Sequence, residues 1–121
     1  MKTDETKPIY LQLAQLICNN IICDIYKQED RIPSLREFAV KFEVNPNTVM
    51  RSFELLQQKD IIYNKRGIGY FVSHQAKKLI LSYRRELFYK ETLPEFFKTL
   101  QQLEIDIKEI DNKYKEYNKE I

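Results

Sequence analysis

Nine residues between Ser34 and Gly67 have the types and spacing that suit contact with a nucleic acid. Arg36 offers a planar guanidinium that can fork onto guanine or a phosphate. Asn45, Asn47 and Thr48 bring short polar side chains, able to meet base edges, to one point of the chain. Arg51 stands about one helical turn beyond them. Lys65 and Arg66 place two cations beside Gly67, one of only two glycines. Ser34 can serve a phosphate or a helix end. In such a set, phosphate contacts position the protein and base contacts specify the sequence. Each residue also has a plainer reading. Ser34 and Asn45 are good helix caps in their own right. Arg36, Thr48 and Arg51 fit a solvated helix surface, and Arg66 fits an exposed turn. Tyr63 and Tyr70 read as packing a hairpin onto helices rather than stacking on bases.

The elements that must hold these residues can be read from periodicity. Pro8 suits a first helical position. Ile9, Leu13, Leu16, Ile17 and Ile21 then form a three-to-four stripe, which predicts a helix over about Ile9 to Asp24 with most of the stripe in the core. Arg31 to Ser34 is extended, because a residue before proline is pushed out of the α region. Ser34 with Glu37 makes a capping box for a helix over about Leu35 to Phe42. Glu43 and Val44 turn the chain. Asn45 caps, and Pro46 starts, a helix to about Lys59. Ile61–Tyr63 and Tyr70–Val72 read as two short strands around the glycine-containing turn Lys65 to Gly69. From Gln75 onward the pattern is helical, with a kink or break expected at Pro94 and a last helix, capped by Asp106, over about Ile107 to Lys119. Met1 to Lys7 is polar and reads as a frayed end.

Length and composition agree with this layout. The chain has 121 residues, 43% of them hydrophobic and 31% charged. That is about one domain with a small appendage, helix-rich and with enough apolar content for a core. Lys and Arg outnumber Asp and Glu by 20 to 18, and the excess is spread along the chain, so nucleic-acid binding must rest on placed charges. No apolar run is long enough to cross a membrane, and the first residues lack the core of a signal peptide, so a cytoplasmic protein is expected. Cys18 and Cys23, five apart, fall on different faces of a helix and read as reduced thiols.

Four blocks carry a family resemblance: PIYLQLAQLI (8–17), RIPSLREFA (31–39), VNPNTVMRSFELL (44–56) and RGIGYFV (66–72). In their order and spacing they resemble the GntR family of bacterial transcription regulators. The short tail resembles the YtrA subfamily, which carries a brief helical dimerisation module. The resemblance implies a mostly α fold with a small β-hairpin. An N-terminal winged helix-turn-helix over residues 1–74 would be followed by a helical dimerisation tail over 75–121. It implies a homodimeric repressor on a pseudo-palindromic operator, often of a transport-related operon. Ser34, Arg36, Asn45, Asn47, Thr48, Arg51, Lys65, Arg66 and Gly67 would face DNA. The stripe Leu79, Ile80, Tyr83, Leu87, Phe96, Phe97 and Leu100 would form the dimer interface. The chain departs from part of the family at Pro46 and Met50, where other members carry polar or basic residues. Readout then shifts toward Asn45, Asn47, Thr48 and Arg36, with a larger share of the grip at the wing tip.

Other classes find little support. His74 is the sole histidine and has no cysteine or acid cluster beside it in sequence, which speaks against a metal site or a catalytic triad. Gly67-Ile68-Gly69 lacks the setting of a nucleotide loop. No cofactor is expected, no membrane partner is expected, and no polar cluster marks a small-molecule effector site. The alternative to specific DNA readout is a winged helix used as a protein-interaction module, favoured only by the near-balanced charge.

Overall fold

The computed structural model describes residues 6–121. Helix α1 (Ile9–Ile22) is followed by α2 (Leu35–Lys41), α3 (Pro46–Gln58), strands β1 (Ile62–Lys65) and β2 (Gly69–Val72), and α4 (Ala76–Leu87). A π-helical segment (Phe88–Thr92), α5 (Leu93–Gln102) and α6 (Ile107–Lys119) complete the chain. The fold is a winged helix-turn-helix followed by C-terminal helices. The first five residues of the segment read as a frayed end lie outside the described residues. Pro8 stands just ahead of α1, with an extended ψ of 149°, so Ile9 is the first helical residue.

The chain divides into two compact units that meet between Tyr83 and Arg84, inside α4. In the first, α1 turns Leu13, Ile17 and Ile21 inward, while Ile9 at the head of the same stripe is exposed. Phe53 of α3 is fully buried at the centre. Its ring meets Phe38 of α2 edge-on at 5.7 Å and Tyr70 of β2 at 4.7 Å. Three aromatic side chains thus join both motif helices to the hairpin, in the edge-to-face geometry that ring quadrupoles favour. Ala76 and Ile80 of α4 belong to this same core. The compact unit therefore runs past residue 74, where the sequence suggests a boundary.

β1 and β2 pair antiparallel, with Ile62 opposite Val72 and Lys65 opposite Gly69. Residues 29–32 run along the other edge of β2. Glu29 N–H donates to the Val72 carbonyl, Val72 N–H to that of Asp30, and Ile32 N–H to that of Tyr70, each at 2.9 Å. The extended stretch before Pro33 thus acts as a third, irregular strand of the wing.

Four helices end in the same way. After α1, α2, α3 and α5 the chain enters the left-handed region at Asp24, Glu43, Asp60 and Glu104, with φ of 61°, 51°, 62° and 55°. The next residue, Ile25, Val44, Ile61 or Ile105, donates its N–H back to Asn20, Ala39, Leu56 or Leu100 respectively. This is the Schellman closure, which usually places glycine at the left-handed position and an apolar residue after it. Here an acidic residue stands there instead, with its charge at the negative end of the helix dipole. Asp60→Gly is therefore expected to stabilise the protein by about 0.5–1 kcal/mol, seen as a rise of several degrees in the thermal midpoint.

In the second unit, Leu100 is the one buried side chain among the described residues, at 7% exposure. Pro94 lies in the first turn of α5. It has no N–H to give to Lys90 four residues back, and Lys90 lies within the π-helical segment. The kink or break expected at Pro94 is thus a change of helical register just upstream of it. Asp106 caps α6, accepting from Lys108 N–H at 2.8 Å. Cys18 is buried and Cys23 exposed, and neither forms a disulfide.

Candidate nucleic-acid interface

The capping box at α2 is complete. Ser34 Oγ accepts from Glu37 N–H at 3.1 Å, and Glu37 Oε1 accepts from Ser34 N–H at 3.2 Å. Hydrogen bonds from the Ser34 backbone and side chain hold the Glu37 carboxyl below its usual range, with a smaller contribution from the charge of Arg31. The hydroxyl of Ser34 is thus engaged as a cap. Arg36 follows it with an exposed side chain.

At α3, Asn45 Oδ1 accepts from Asn47 N–H at 2.8 Å, so the Asn45 side chain serves the helix end. The Asn47 side chain is exposed and Thr48 is half-buried. One turn on, the Arg51 guanidinium lies 3.9 Å from the centre of the Tyr10 ring. The Ser52 hydroxyl, buried beneath it, donates to the Tyr10 carbonyl at 2.6 Å. These contacts fasten α3 to the start of α1 and fix its roll about its own axis. On the first two turns of α3, Pro46, Asn47, Met50 and Arg51 are exposed.

At the wing, Ile68 N–H closes the turn onto the Lys65 carbonyl at 2.9 Å. Gly67 has φ +78°, which L side chains rarely adopt. Lys65 Nζ folds back to 4.5 Å from the centre of the Phe71 ring. Arg66, Gly67 and Ile68 are exposed at the tip. Tyr70 packs against Phe53, as a hairpin residue facing the helices would. Tyr63 lies on the opposite face, stacked on Phe71, and its hydroxyl donates to Glu29 at 2.6 Å. That bond to a carboxylate raises the Tyr63 pKa.

The nine candidate residues therefore share one compact unit but differ in availability. Arg36, Asn45, Asn47, Arg51, Lys65, Arg66 and Gly67 are exposed and Ser34 and Thr48 half-buried, but Ser34, Asn45, Arg51 and Lys65 already hold partners within the chain. Sequence reasoning missed Arg31, whose Nε donates to the Ile68 carbonyl at 3.2 Å. It also missed Tyr10, the platform for Arg51. Of the tail stripe, Ile80 is buried in the first core, and Leu79 and Tyr83 pack against that core. Leu87 is half-buried. Leu100 is buried, while Phe96 and Phe97 remain 38% and 45% exposed.

Among the described residues, no group of three His, Cys, Asp or Glu side chains is placed to hold a metal ion. His74 Nδ1 is instead hydrogen-bonded with the Gln28 amide. No helix among them is long and apolar enough to cross a membrane.

A recognition helix with an open N-terminal turn, braced by a second helix and flanked by a cationic wing, defines a DNA-binding transcription regulator. Residues 9–72 match the bacterial regulatory proteins of the gntR family, and the chain belongs to that family. It is 33% identical over 98 residues to the uncharacterized HTH-type transcriptional regulator YhcF of Bacillus subtilis, covering 81% of this chain and 79% of that one. It is 36% identical over 74 residues to the HTH-type transcriptional repressor YtrA of the same organism, covering 61% and 57%. Among solved structures, a GntR-family regulator from Bacteroides thetaiotaomicron shares 52% identity at a TM-score of 0.78, covering 93% and 98% of the two chains. The DNA-binding domain of AraR, solved in complex with operator ORX1, shares 25% identity at a TM-score of 0.54, covering 55% of this chain and 81% of that one. These relatives are transcriptional regulators, not enzymes.

Proposed function

We propose that the protein is a homodimeric, cytoplasmic repressor that binds a pseudo-palindromic operator through its winged helix-turn-helix, with a transport-related operon as the expected target. The observation that carries the DNA-binding half of this reading is the uncovered start of α3. There Asn47 is exposed, with Arg36 exposed on α2 and Arg66 exposed on the wing of the same compact unit. Arg36 suits a guanine or a phosphate, Asn47 suits adenine, and Arg66 suits the backbone or the minor groove. The operator-bound AraR domain, a relative of the same fold, supports this mode of docking.

The dimer half rests on the second unit. With Leu100 alone buried there, Phe88, Phe96, Phe97 and Leu103 are all left exposed. An apolar surface of that kind is normally covered by a partner, and a second copy of the chain is the simplest one. Two copies would place their recognition helices on half-sites about 34 Å apart, one turn of DNA. Specific affinity is then expected on the order of nanomolar at physiological salt.

Arg36→Ala is expected to weaken specific binding by about 1–3 kcal/mol while sparing non-specific binding. Fluorescence polarisation against duplexes selected by the wild-type chain from a random-sequence pool measures both. Failure of the wild type to enrich any sequence would overturn operator-specific binding.

A further inference from the structure

We propose that Arg31 is the positioning residue of the wing, tying the wing tip to the entrance of α2 so that both are presented to DNA as one body. The inference rests on the operator-binding reading above and adds a residue that touches neither base nor phosphate.

Residues 29–32 lie along β2, so Arg31 is held beside the hairpin by backbone bonds on both sides of it. Its own backbone forms a bridge opposite Phe71. From there the side chain reaches the tip, and Nε donates to the Ile68 carbonyl at 3.2 Å. Gly69 makes this path possible. A Cβ at that position would stand 2.8 Å from Arg31 Nε, so the Arg31 side chain would have to shift, and the φ of +145° also disfavours a side chain there. Three residues after Arg31, Ser34 caps α2. One side chain therefore links the wing turn to the segment that launches the first motif helix.

The tip needs such a strut. The space around Gly67 is open, with nothing within 4 Å of where a Cβ would be, and the Ile68–Lys65 backbone bond closes the turn onto itself rather than onto the rest of the fold. A glycine-flanked tip that moves freely in the unbound state loses that freedom on binding, which weakens affinity. A tip already fixed by Arg31 avoids most of that loss. Arg66, adjacent to Gly67, is then held ready for the duplex.

The test uses the full chain as wild type, Arg31→Ala, Arg31→Lys and Gly69→Ala. The first measurement needs no DNA: amide 15N heteronuclear NOE values at Arg66, Gly67 and Ile68. Arg31→Ala and Gly69→Ala should lower them while leaving amides of α3 unchanged. Arg31→Lys should not restore them, because an ammonium lacks the Nε–H at that point of the side chain. The second measurement is a hydroxyl-radical footprint on a duplex selected by the wild type from a random pool. Loss of protection at the wing with protection from α3 retained, and affinity weaker by on the order of tenfold, supports positioning. Unchanged NOE values overturn the proposal. So does an intact wing footprint combined with a fall of about one in the salt slope, the signature of a direct phosphate contact by Arg31. If the wild type selects no duplex, operator binding fails as a reading, and the NOE measurement still decides whether Arg31 fixes the wing.

Discussion

Phe53→Ala is expected to cost about 3–5 kcal/mol of folding stability. Phe53 is fully buried and is the ring through which Phe38 of α2 and Tyr70 of β2 meet. Truncation removes its apolar burial and leaves a cavity bordered by three elements, none of which can close it alone. It also removes two edge-to-face contacts, each worth about 0.5–1.5 kcal/mol beyond buried area. A small domain has only about 5–15 kcal/mol in hand, so the variant should unfold at markedly lower urea concentration. Circular dichroism during urea titration measures this directly. A loss below about 1.5 kcal/mol would mean that the three rings do not form a shared core.

Truncation after Tyr83 is expected to yield a folded monomer whose operator affinity falls by about 10²–10⁴-fold. That range is what loss of a second, linked binding event produces. The cut follows the division between the two compact units and leaves Ala76 and Ile80 in place. A chain ending at residue 74 would lack both and should fold poorly, so its failure would say nothing about dimerisation. Sedimentation gives the oligomeric state of the 1–83 chain, and polarisation gives its affinity. A 1–83 chain that remained dimeric would place the interface outside the second unit and sink the role proposed for the tail.

Much of the first unit was legible in the sequence because its signals are local. The Ser34–Glu37 box, the Asn45 cap and Pro46 mark helix starts whose bonds span two or three residues, and all appear as read. The stripe Leu13, Ile17 and Ile21 is buried as its spacing predicts. What escaped was of two kinds. Tertiary pairings carry no sequence period: the alignment of residues 29–32 with β2 and the reach of Arg31 to Ile68 depend on segments 37 positions apart. The same holds for Ile80, whose apolar stripe continues into the tail although its side chain belongs to the first core. The helix ends near Asp24, Phe42 and Lys59 are legible to within two residues, and Glu43 with Val44 reads as a turn. What escaped there was that an acidic residue in the left-handed region followed by Ile or Val is the shared closure of α1, α2, α3 and α5, because glycine is the usual signal at that position. In a chain with two glycines, both in the wing, that pair is the signal to look for.

Those four stops bear on the order of folding. Each closes a loop of only five residues, so a helix can end where it should before any distant segment has arrived. The wing is assembled differently. Its third strand must cross from residues 29–32 to residues 70–72, and a closure over that separation costs more chain entropy than a local one. Helix lengths are thus decided early and locally, while the shape of the wing waits for the chain to meet itself.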